Sequence, residues 1–277
     1  MRNYAGAGLI EADELAFLLK SGGSVKLLDA TYPSKEAARI GDAGVFDIDA
    51  VADPRSDMPH MLPSPGDFAR AVLELGISND DLVVVYDQSG IAMAAARAWW
   101  MFRVFGHDNV CVLNGGLPYW KATGHPLNDS PPAAPAAVKY TASFRPELVR
   151  DMALVQQALR SGGGTAILDA RSTERFSGNA AESRPGLRSG HIPGSANVPY
   201  ASLIDPSDGR LRAVADIRGI LDAFAGKQVI ASCGSGVTAC VIALAFYTLE
   251  KPDVAVYDGS WTEWGRKDRA TEVTILT

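Results

Sequence analysis

The hexapeptide VKLLDA (Val25–Ala30) returns later in the chain as TAILDA (Thr165–Ala170). The echo continues: LVVVYDQSGIAMAAARAWW from Leu82 matches QVIASCGSGVTACVIALAF from Gln228, and LNGGLPYW (Leu113–Trp120) matches YDGSWTEW (Tyr257–Trp264). All three pairs keep a spacing of about 140–146 residues, so the chain is a duplicated domain rather than one large core. Its 277 residues suit two domains of ordinary size. Between the copies lies NDSPPAAPAAVKYTASFRP, residues 128–146, where prolines at 131, 132, 135 and 146 disfavour helix and central strand alike. We therefore expect a first domain over 1–127, a linker over 128–146 and a second domain over 147–277.

Within each copy, short aliphatic runs alternate with helix-length segments. Val25–Ala30, Leu82–Tyr86 and Val110–Leu113 read as strands in the first, and Thr165–Ala170, Val229–Ser232 and Val254–Tyr257 in the second. Pro65–Leu75 and Val237–Leu249 read as helices. Alternation of this kind predicts an α/β fold in which each copy is a mostly parallel sheet flanked by helices on both faces.

Charge narrows the function. A formal net charge of −6 argues against a nucleic-acid footprint or a polybasic membrane surface. The N-terminal segment carries Glu11, Asp13 and Glu14 where a signal peptide would be apolar, and reads as a helix. The most apolar run, Val237–Leu249, is too short to span a bilayer. Three cysteines without a C-x-x-C pair suggest neither a disulfide framework nor a zinc cage. A reducing compartment, the cytoplasm, fits this usage.

One cysteine stands apart. In VIASCGSGVTAC, Cys233 sits where a strand ends and a helix begins, the place where open α/β sheets bind ligands. Gly234 and Gly236 allow the backbone to turn its N–H groups inward, and the helix N-terminus adds unpaired donors and a positive dipole end. Such a cradle favours a thiolate, the form in which sulfur attacks. Cys240 and Cys111 fall inside an apolar helix and an apolar strand and read as core. Aligning Gly90 with Gly236 places Asp87 opposite Cys233, so the first copy lacks the nucleophile.

These residues carry a resemblance. CGSGVTAC, SGHIPGSANVPY, YDGSWTEW and the N-terminal VFDIDAVAD and PHMLP together resemble the two-domain rhodanese-type sulfurtransferases, and within them the branch that uses 3-mercaptopyruvate. The resemblance runs from about Leu9 to Glu272. It implies two rhodanese domains, the second active, and a persulfide on Cys233 as intermediate, bound by the loop Gly234, Gly236, Val237 and Thr238. It also implies that Arg175 in ERFSG and Arg184 in ESRPG hold the donor's carboxylate and keto oxygen, and that Ser235, His60 and Asp49 form a proton relay drawn from both domains. The implied acceptor is a thiol such as thioredoxin or a small thiol, or cyanide, with no metal or organic cofactor. In the family, thiosulfate enzymes carry Arg and Lys after the cysteine, where this chain has Gly234 and Ser235. A thiosulfate dianion gains from cations beside its reacting sulfur; 3-mercaptopyruvate has its carboxylate at the far end.

Other residues have plainer expectations. His191 in SGHIPG reads as a turn-packing histidine, Arg188 as a decoy for the substrate arginines, and Trp120 and Trp264 as core aromatics. Three rival functions are open on sequence: a thiosulfate:cyanide sulfurtransferase, a phosphatase, and a persulfide carrier or binding module without turnover. A phosphatase needs an arginine closing the loop, and the sixth residue after Cys233 is Ala239.

Overall fold

The computed structural model describes residues 4, 6–22, 24–31, 38–90, 93–129 and 137–276. They form two compact units. The first comprises Met1–Pro54, Leu62–Arg145 and Ile204–Leu211; the second comprises Arg55–Met61, Pro146–Leu203 and Arg212–Thr277. The expected linker prolines at 131, 132 and 135 lie outside the described residues.

The first unit contains β1 (Leu9–Ile10), α1 (Ala12–Lys20), β2 (Val25–Asp29), β3 (Gly44–Val45), α2 (Pro65–Glu74), β4 (Leu82–Tyr86), α3 (Met93–Val104), β5 (Val110–Leu113) and α4 (Gly116–Ala122). The second contains β6 (Val149–Arg150), α5 (Met152–Ser161), β7 (Thr165–Asp169), α6 (Thr173–Ser177), β8 (Ala196–Asn197), α7 (Val214–Leu221), β9 (Gln228–Ser232), α8 (Ala239–Thr248), β10 (Ala255–Tyr257) and α9 (Ser260–Trp264). Each sheet has five strands, ordered β1-β5-β4-β2-β3 and β6-β10-β9-β7-β8. Every pairing among these ten strands is parallel. Exchanging each strand for its repeat counterpart turns one order into the other, so the duplication is one of topology as well as of sequence.

The central strands explain the register. β4 reads LVVVY with every residue buried, and β9 is buried from Val229 onward. Continuous apolar runs of this kind belong to parallel strands covered on both faces. α8 is buried along Ala239–Tyr247, as a helix apolar all round must be. Its counterpart α3 is buried too, with the Arg97 guanidinium over Trp100 at 4.6 Å and that of Arg103 over Trp99 at 5.0 Å. Caps set the helix starts: Ser64 Oγ accepts the Asp67 N–H at 3.1 Å ahead of Pro65, and Asp151 accepts that of Leu154 at 2.8 Å.

Two details differ from the sequence expectation. β1 and β6 are two-residue edge strands, too short for any periodicity to show. α8 begins at Ala239 rather than near Val237, because the N–H groups of Cys240 and Val241 turn tightly onto the carbonyls of Val237 and Thr238, both at 3.1 Å. Residues 234–238 are thereby left to the loop.

Candidate active site

β9 delivers Cys233 to the carboxyl end of the second sheet, where its side chain is 1% exposed. The loop that follows has two glycines with different reasons. Gly236 has φ +75°, a left-handed conformation that costs other residues free energy, and Gly90 repeats it at φ +78° in the first copy. Gly234 is not left-handed. A Cβ there would stand 3.3 Å from Arg175 Nη2 and 3.9 Å from Arg184 Nη1, so its bareness makes room for the two arginines. Among the described residues, the backbone N–H groups of Gly234, Ser235, Val237 and Thr238 donate to no partner. They are available to an anion.

Both arginines expected to bind the donor thus stand at the loop. Arg175 comes from α6 and pairs with Glu182 through Nη2 at 2.5 Å, while its buried Nε has no hydrogen-bond partner among the described residues. The Glu182 side chain, 2% exposed, also takes Arg171 Nη1 at 2.7 Å. Arg171 is itself enclosed, forked onto Asp169 and stacked over Trp261 at 4.4 Å. Burial opposes its charge, but Asp169 and Glu182 outweigh burial and raise its pKa above the usual arginine value. Two carboxylates against the guanidinium groups of Arg171, Arg175 and Arg184 leave the cluster with one net positive charge.

Ser235, 6% exposed, faces the segment Arg55–Met61, which packs with the second unit although it precedes the first unit's α2 in the chain. His60 Nδ1 stands 2.9 Å from Ser235 Oγ, with donor and acceptor set by the histidine tautomer. The segment is tied down by Asp57, whose carboxylate takes Arg266 Nη1 at 2.7 Å. That hydrogen bond and the guanidinium charge hold the Asp57 pKa below the ordinary carboxylate value. His60 has φ +62°, a left-handed backbone stored beside the loop. Asp49 lies in the first unit, exposed, with its N–H donating to Asp47 Oδ1 at 2.9 Å; its part in a relay rests on the resemblance alone.

The residues expected to be structural are so placed. His191 is buried, hydrogen-bonded to the Phe176 carbonyl oxygen at 2.8 Å and stacked on the Phe176 ring at 3.8 Å. Arg188 spends its guanidinium on the carbonyls of Trp264 (2.9 Å) and Thr271 (2.7 Å). Trp120 and Trp264 are core residues. Cys240 Sγ donates to the Gly236 carbonyl at 3.2 Å, and burial pushes the Cys111 thiol up to about 12. Sequence reasoning passed over Asp169, Arg171, Glu182 and Ser260. Asp169 stands in the repeated LDA and Glu182 in ESRPG, but neither motif says which arginine a carboxylate will meet.

The first copy shows what the same loop does without a cysteine. Asp87 Oδ1 accepts the Ser89 N–H at 3.0 Å and the Ser89 hydroxyl at 2.6 Å, so a carboxylate fills the cradle from within. Gln88, opposite Gly234, reaches back to Asp29 at 2.8 Å. Burial raises the Asp87 pKa, the Ser89 hydrogen bonds only partly opposing it, and Oδ2 is buried without a partner among the described residues. A raised carboxyl pKa contributes its stability fully below the unfolded value and loses it as pH climbs through the folded one. Asp87→Asn is therefore expected to be neutral near pH 4 and to stabilise by on the order of 1 kcal/mol at pH 7.5, read from denaturant unfolding at the two pH values.

A strand-loop-helix cysteine, a donor-lined loop, two arginines and a twin without the cysteine now stand together. The family model described as "Rhodanese-like domain" matches residues 11–123 and 152–267, once per copy. The chain belongs to the rhodanese family. It is 43% identical to the 3-mercaptopyruvate sulfurtransferase of Escherichia coli K12 over 235 residues, covering 82% of this chain and 80% of that one. It is 41% identical to "Thiosulfate/3-mercaptopyruvate sulfurtransferase 1, mitochondrial" of Arabidopsis thaliana, over 87% of this chain and 71% of that one. Among solved structures, E. coli SseA, described as showing the rhodanese fold of 3-mercaptopyruvate sulfotransferases, superposes with a TM-score of 0.79 at 37% identity, over 92% of this chain and 99% of that one. This rhodanese-family chain is an enzyme, a sulfurtransferase of the 3-mercaptopyruvate/thiosulfate type. Among the described residues, no helix is long and apolar enough to cross a membrane.

Proposed function

We propose that this sulfurtransferase takes its sulfur from 3-mercaptopyruvate and carries it as a persulfide on Cys233. One observation supports this donor above others: two guanidinium groups stand beside Gly234, in a cluster with one net positive charge, while the loop residues next to the sulfur are neutral. That arrangement suits a monoanion whose carboxylate lies away from its thiol better than a dianion charged at the reacting sulfur.

In the first half-reaction the Cys233 thiolate attacks the donor's sulfur, forming an S–S bond as the C–S bond breaks. The bonding pair leaves on carbon as the enolate of pyruvate. The donor's thiol proton is passed through Ser235 and His60 to that enolate, so the net products are a Cys233 persulfide anion and pyruvate. The loop N–H groups of Gly234, Ser235, Val237 and Thr238 and the adjacent end of α8 hold the negative outer sulfur. In the second half-reaction a thiol, such as thioredoxin or a small thiol, or cyanide attacks that sulfur and Cys233 leaves as thiolate. Free thiols at Cys111, Cys233 and Cys240 accord with a reducing compartment such as the cytoplasm.

The test is intact-mass measurement after exposure to each donor, with kcat/KM for both. The expected result is one added sulfur atom from 3-mercaptopyruvate and a higher kcat/KM for it; a preference for thiosulfate would overturn the donor assignment. A persulfide without turnover of either donor would indicate a carrier instead. His60→Gln is expected to lower kcat about 100-fold with KM little changed, and to remove one limb of the pH–rate profile in stopped-flow pyruvate release.

A further inference from the structure

Ser260 holds an unusual position. It is fully buried and has φ +48°, one of three non-glycine residues with positive φ among those described, the others being His60 and Glu250. Its counterpart in the first copy is Gly116, at φ +58°, where a Cβ would stand 2.5 Å from the Asp87 carbonyl. Where the fold needs only the turn, it uses glycine. Where the loop carries a cysteine, it keeps a serine in a conformation that serine adopts at a cost.

The hydroxyl has a specific task. Ser260 Oγ accepts the Cys233 N–H at 3.1 Å and donates onward to the Tyr257 carbonyl at 2.7 Å. The next residues of α9 hold the other side of the cysteine: Trp261 N–H donates to the Cys233 carbonyl at 3.0 Å and Thr262 N–H to that of Gly234 at 2.8 Å. In the first copy only the counterpart of the Trp261 bond has an equivalent donor, Leu117 N–H to the Asp87 carbonyl at 2.9 Å. The peptide groups on both sides of Cys233 are therefore clamped, and the clamp on the N–H is a side chain that the silent copy does not have.

We propose that Ser260 is a positioning residue of sulfur transfer: its hydroxyl fixes the Cys233 peptide so that Sγ points at the centre of the loop. The inference rests on Cys233 being the nucleophile. Misplacing a reacting atom by a fraction of an ångström slows chemistry without changing how substrate binds.

Two variants separate the hydroxyl from the strain. Ser260→Gly removes both and Ser260→Ala removes the hydroxyl but keeps the strain, so the glycine variant is expected to melt about 2 °C above the alanine variant. Both are expected to lose about 10-fold in kcat, with KM for 3-mercaptopyruvate within twofold of the parent. Equal losses in kcat with unequal melting temperatures are what a merely structural serine could not produce. Parental kcat in Ser260→Gly, or activity that follows melting temperature, overturns the proposal. Cys233→Ser, run alongside, keeps the two readings apart: if it still loads sulfur, the nucleophile assignment fails; if it is inert while Ser260→Gly is fully active, only the positioning role fails.

Discussion

Cys233→Ser is expected to reduce pyruvate release from 3-mercaptopyruvate by about 10,000-fold or more, and no sulfur atom should appear on the protein by intact mass. The substitution exchanges one atom in a buried site, so folding should change by less than about 1 kcal/mol. What changes is the chemistry. A serine hydroxyl beside the same N–H groups is far less acidic than a thiol and cannot form the persulfide. The Ser235–His60 contact does not rescue it, since it serves a different oxygen. Full pyruvate release by Cys233→Ser would end the assignment.

The two arginines are expected to separate. Arg184 is half-buried and makes no ion pair among the described residues, so Arg184→Gln should raise KM for 3-mercaptopyruvate about 10–100-fold, the worth of charge-assisted hydrogen bonds to a carboxylate, and leave thermal stability alone. Arg175 also neutralises Glu182, which is almost wholly enclosed. Arg175→Gln should give a similar rise in KM and cost a further 1–3 kcal/mol or so of stability, because Glu182 then depends on Arg171 alone. Parallel KM measurements and denaturant curves decide; equal stability losses in the two variants would contradict the shared-carboxylate geometry.

Much of the fold was legible because it is local and repeated. The strands at Val25, Leu82, Thr165 and Val229 announce themselves as apolar runs, and each copy confirms the other. The edge strands β1 and β6 were not legible, since two residues carry no period. The loop is legible in composition and less so in cause: Gly236 is glycine for its backbone angle, Gly234 for the space that Arg175 and Arg184 occupy. Nothing in CGSG distinguishes those reasons. The carboxylates that organise the arginines were missed because ESRPG and LDARS do not reveal that Glu182 will sit between Arg171 and Arg175.

The sequence by itself determined the duplication, the parallel α/β class, the cysteine at a strand-to-helix turn and its absence from the first copy. These follow from periodicity and from which residues stand next to one another, and neighbours in sequence stay neighbours in any fold. Only the tertiary structure decided what surrounds that cysteine. His60 and Ser235 meet across 175 residues of chain, and Ser260 reaches the Cys233 N–H across 27. Such contacts are fixed when the sheet assembles and helix ends converge on its carboxyl edge, and no local pattern records them.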